Sequence, residues 1–66
     1  MNEEQRILYY KEQIEQKLRN YTFETETLKE VQNCLNITNN RKLLRSLRVL
    51  NEQLNRQIDE QTMDSE

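Results

Sequence analysis

Sixty-six residues carrying a net charge of −2, with one cysteine and no histidine, glycine or proline, leave room for one small domain and remove several kinds of function. A lone cysteine closes no internal disulfide and, without histidine, builds no structural zinc site. The lack of glycine removes phosphate-cradling loops of the Walker and Rossmann types, and a near-balanced charge disfavours a general nucleic-acid binder, which is normally strongly basic.

The apolar and charged shares are both 33%, a composition that disorder would also tolerate. The apolar residues are periodic, however, and with no proline or glycine to interrupt the chain long helices are the natural reading. The N-terminal stretch has no apolar core of signal-peptide type, and no run approaches membrane-spanning length. A cytoplasmic protein is expected, or a nuclear one in a eukaryote.

The first predicted element is a long helix over about residues 3–35, on the order of 50 Å at 1.5 Å per residue. Its signature is a seven-residue spacing: Ile7, Ile14, Tyr21, Leu28, Leu35. That is one core position of a heptad. The other core position reads Lys11, Leu18, Thr25, Gln32, so half of the seam is polar. Asn20 to Thr27 is rich in β-branched and aromatic residues of lower helix propensity, where a bend or fraying can occur.

A break follows at Asn36-Ile37-Thr38-Asn39-Asn40. Asparagine tolerates left-handed backbone angles, and Asn39 or Asn40 is placed to cap a following helix. The second predicted helix spans about 41–60. Leu43, Leu44, Leu47, Leu50, Leu54 and Ile58 form a continuous apolar stripe with helical spacing. Residues 62–66 read as a frayed acidic tail, because negative charge at a helix C-terminus opposes the helix dipole.

The expected fold is therefore all-α: a two-helix antiparallel hairpin with coiled-coil-like packing, forming one domain over residues 1–61. Its core would be Leu28, Val31 and Leu35 from the first helix and Leu43, Leu47, Leu50 and Leu54 from the second. The shorter helix covers only the second half of the longer one. Ile7, Tyr10, Ile14, Leu18 and Tyr21 would then present apolar surface to another chain. A domain this small buries only about 60% of the surface its unfolded chain exposes, so a partner is a natural source of stability.

The carboxylates are numerous, but two helices cannot readily enclose the pocket that acid–base chemistry needs. Cys34 has no histidine to activate it and reads as a small buried apolar residue. No catalytic residue, metal, cofactor or small-molecule substrate is expected. Arg41, Lys42, Arg45 and Arg48 form a basic run, with Arg41, Arg45 and Arg48 on one helix face. They can contact an anionic partner, or pair with Glu24, Glu26 and Glu30 across the hairpin. The functional expectation is a non-catalytic adaptor or chaperone subunit that covers an apolar helix of a partner in a hetero-complex. The alternatives are a homo-oligomeric coiled-coil scaffold and a small nucleic-acid-associated regulator.

Overall fold

A computed structural model describes residues 2–63, which form three helices. These are α1 (Glu3–Asn20), α2 (Thr25–Leu35) and α3 (Asn40–Met63), and the described residues contain no strand. The fold is all-α, as expected, but the single long first helix is two helices. α3 includes Thr62 and Met63, which the sequence places in an acidic tail; residues 64–66 of that tail lie outside the described residues.

Each helix boundary has a local cause. Asn2 caps α1 through a capping box: its Oδ1 accepts from the Gln5 backbone N–H at 2.8 Å, and the Gln5 side chain accepts from the Asn2 N–H. Glu3 and Glu4 in the first turn, with Lys17 and Arg19 in the last, complement the α1 dipole. The helix ends at the low-propensity Asn20-Tyr21-Thr22-Phe23 stretch. Both flanking residues, Tyr21 and Glu24, are extended.

Tertiary contacts hold this corner open. Phe23 packs on the core, and Gln61 Nε2 donates to the Thr22 carbonyl oxygen at 2.7 Å. Gln57 Nε2 donates to the hydroxyl of the buried Thr27 at 3.3 Å. A continuous helix would forgo all three contacts. The second turn is made as the sequence suggests, with Asn36 closing α2 and Asn39 Oδ1 accepting from the Lys42 N–H at 3.1 Å. It needs no left-handed residue, since Asn36 sits at φ −85°.

These contacts also give the topology. Lys17 Nζ donates to Asn51 Oδ1, and Thr22 meets Gln61, so α1 runs parallel to α3. Thr27 meets Gln57 near one end of α2, while Ile37 lies beside Ser46 at the other, so α2 runs antiparallel to α3. The bundle goes up, down and up, within 40 × 25 × 17 Å. α3 is the central element. α1 and α2 both pack closely on it, and neither approaches the other as closely.

The core is Ile7, Ile14, Val31, Cys34, Leu43, Leu47, Leu50 and Leu54. Leu47 and Leu54 are fully enclosed. The heptad series divides at the corner. Ile7 and Ile14 are buried, whereas Tyr21, Leu28 and Leu35 are each more than 40% exposed. The extended linker resets the helical phase, so α2 buries Thr27, Val31 and Cys34 in place of the heptad leucines.

Candidate interaction surface

The residues expected to face a partner take three different positions. Ile7 and Ile14 are covered by the chain's own α3, and the apolar stripe that a two-helix hairpin would leave open does not exist. Tyr10 and Leu18 are half-buried against the core, and Tyr21 is exposed. Of the expected hairpin core, Val31, Leu43, Leu47, Leu50 and Leu54 are buried, but Leu28 and Leu35 face outwards.

The outward leucines mark a surface that sequence reading missed. Because α1 and α2 stay apart, an open groove of about 320 Å³ runs between them. Ile14 and Val31 form its floor, and Lys11, Glu15, Leu18 and Leu35 line its sides. On α1 the residues Leu8, Lys11, Glu15 and Leu18 follow i, i+3, i+7, i+10 spacing and so stand in one row. On α2 the row is Leu28, Val31 and Leu35. Leu35, at the groove itself, is 45% exposed, and along the same two rows Leu8 is 60% and Leu28 44% exposed, so both helices carry leucine into solvent. A visible signal was Leu8, directly beside Ile7 in the sequence and unused by the heptad.

The opposite flank of α1 meets α3 in a basic patch. Arg6, Tyr9 and Tyr10 from α1 gather around Leu44 and Arg48 of α3. Arg41, Arg45 and the 59% exposed Val49 continue the patch along α3, with the carboxylate of Glu52 among them. Tyr9 and Tyr10 contact edge to face with ring centroids 5.4 Å apart. The pairing with Glu24, Glu26 or Glu30 considered from sequence is not made. Among the described residues the ion pair formed is Arg19–Glu15, at 3.4 Å on the surface of α1.

Comparison with family models, with curated proteins and with solved structures finds no significant match.

The chemistry of individual groups is modest. Burial raises the Cys34 thiol above its ordinary value, with Lys11 partly opposing the shift. Burial lowers the Lys17 ammonium. Among the described residues no cluster of three or more cysteine or carboxylate side chains is placed to hold a metal ion, and no buried side-chain polar atom lacks a hydrogen-bond partner. No helix of the described chain is long and apolar enough to cross a membrane.

Proposed function

We propose that this chain is a non-catalytic polypeptide-binding subunit and that the α1–α2 face is its binding surface. The supporting observation is the pair of leucine rows flanking an apolar groove whose floor is already core. An exposed leucine alone needs no explanation. Leu35 lines the groove, and Leu8 and Leu28 extend the same two helix rows; on helices that do not close on each other, they form the kind of apolar patch that marks an interaction site. A face made of two antiparallel helices with apolar rows packs against an apolar helical surface of another polypeptide. In this reading the adaptor role belongs to Leu8, Leu18, Leu28 and Leu35, not to Ile7 and Ile14.

Site-specific photo-crosslinking tests the proposal. A photoreactive side chain replacing Leu28 or Leu35 in the full chain, expressed in cells, should yield covalent adducts with a polypeptide. The same group at Val49, more exposed and on another face, should not. Absence of any polypeptide adduct from positions 28 and 35 refutes the assignment.

A second reading has its own observation. The α3 arginines lack ion-pair partners among the described residues and adjoin Arg6 and two tyrosines. That combination suits an anionic partner such as a nucleic-acid backbone. It predicts binding to single-stranded nucleic acid that weakens steeply with salt and with replacement of Arg41, Arg45 and Arg48. No binding at low salt refutes it.

A further inference from the structure

We infer that the occupant of the α1–α2 face is a second copy of this chain, turned end for end. The inference rests on the polypeptide-binding reading above and names its partner.

The α1 row is symmetric in its chemistry. Leu8 and Leu18 lie five residues to either side of Gln13, and Lys11 and Glu15 lie two residues to either side. An antiparallel α1–α1 contact centred on Gln13 therefore places Leu8 against Leu18 of the second copy and Lys11 against Glu15 of the second copy. The two-fold axis repeats both contacts. The exposed leucines of α2, Leu28 and Leu35, are symmetric about the Val31–Gln32 bond. The two centres fall at the same level of the bundle, because Ile14 and Val31 share the groove floor. One axis lying between the copies and perpendicular to the helices thus satisfies both rows at once.

An isologous dimer requires this property: one patch must be complementary to itself after a two-fold rotation. A different partner helix would require no such symmetry in this chain. The unlike charges at the centre also fix the orientation. A parallel arrangement in the same register would set Lys11 against Lys11 and Glu15 against Glu15, and like charges in contact suppress it. Glu15 already meets Arg19 on its own helix, but that exposed pair is weak and leaves carboxylate lone pairs for Lys11 of the second copy.

Size sets the strength. A face about 27 Å long and two helices wide, roughly 20 Å, covers on the order of 500 Å² per copy. A total near 1,000 Å² is at the lower edge of specific interfaces, so association should depend on concentration.

The experiment is sedimentation equilibrium on the full chain, with circular dichroism confirming that every variant keeps its helicity. The unmodified chain should be a monomer–dimer mixture. Lys11→Glu alone or Glu15→Lys alone puts like charges in both central contacts and should weaken dimerisation at least tenfold. Mixing the two single variants should restore it as a heterodimer, since each chain then supplies the charge that the other needs. Three results overturn the inference: a monomer at all concentrations, single variants that dimerise as well as the parent, or monomeric single variants that do not associate when mixed. The crosslinks at positions 28 and 35 separate this failure from failure of the broader reading. An adduct with another polypeptide and none with a second copy overturns only the dimer, whereas no polypeptide adduct overturns both.

Discussion

Ile14 offers the sharpest test of the three-helix arrangement, because the sequence alone leaves it uncovered and the structure buries it to 2% exposure. Ile14→Ala removes a side chain enclosed in the core with Val31, Leu47 and Leu54. Truncations of this kind cost about 2–5 kcal/mol, rising with the cavity that remains. A domain of this length has a total stability of roughly 3–10 kcal/mol, so the variant should lose a large fraction of it. At about 4–8 °C per kcal/mol for a small domain, a loss of about 3 kcal/mol lowers Tm by roughly 12–24 °C. Thermal and urea denaturation followed by far-UV circular dichroism measures both quantities. Val49→Ala, at a site 59% exposed, is the control and should stay within about 0.5 kcal/mol of the parent. If Ile14→Ala behaves like that control, α3 does not cover α1 and the three-helix bundle is wrong.

Three other changes probe separate parts of the chain. Asn39→Ala removes the acceptor for the Lys42 N–H and should cost about 1 kcal/mol, read as a lower urea midpoint with unchanged slope. Lys42→Glu should raise the urea midpoint, gaining about 0.3–1 kcal/mol from the α3 dipole, because it places an acidic group three residues after the capping Asn39; a lower midpoint would show that the native cation is structural. Cys34 should react slowly with iodoacetamide in the folded chain and rapidly in denaturant. Its raised pKa means that the folded state holds the proton more tightly, so stability should decline as pH climbs past the ordinary thiol value near 9.0, and a pH series on Cys34→Ala should lack that increment.

Helix content, the α3 stripe and the Asn36–Asn40 turn were legible in the sequence because each depends on neighbours within a few residues. Leu43, Leu47, Leu50 and Leu54 recur at helical spacing on one uninterrupted helix, and all four are buried. The corner at Tyr21–Glu24 was visible only as weak propensity. What decides it is non-local: Phe23 on the core, Gln61 on the Thr22 carbonyl 39 residues away, and Gln57 on the Thr27 hydroxyl 30 residues away. The Asn2–Gln5 capping box is just as local, but its residues carry no apolar signal and the sequence reading did not use it. The heptad series misled because it spans the corner. Its spacing assumes one helix phase throughout, and four residues without helical geometry shift that phase, so the series enters α2 on the outer face. The same shift that exposes Leu28 and Leu35 creates the candidate surface, which therefore could not be read until the corner was known.

The charges of α3 run against its dipole. Arg41 and Lys42 occupy its first turn, where a helix favours acids, Arg45 and Arg48 follow in the next turns, and Asp59 and Glu60 lie near its other end. The fold gives no compensating ion pair for those arginines among the described residues. The arrangement opposes helix stability locally, and departures of that kind collect where a surface faces a ligand. The two surfaces are compatible because they use opposite flanks of α1: Leu8, Lys11, Glu15 and Leu18 line the groove beside α2, whereas Arg6, Tyr9 and Tyr10 adjoin α3. An end-for-end pair closed through the leucine face leaves both basic patches in solvent, one at each end of the dimer. A long anionic partner could then engage the two together, and its affinity for the dimer would exceed that for a monomer without any new contact. Weakening the dimer with Lys11→Glu, which stands on the groove side of α1 and not among the patch residues, should therefore weaken binding of a long anion more than of a short one. Equal loss for both lengths would show that the two surfaces act independently.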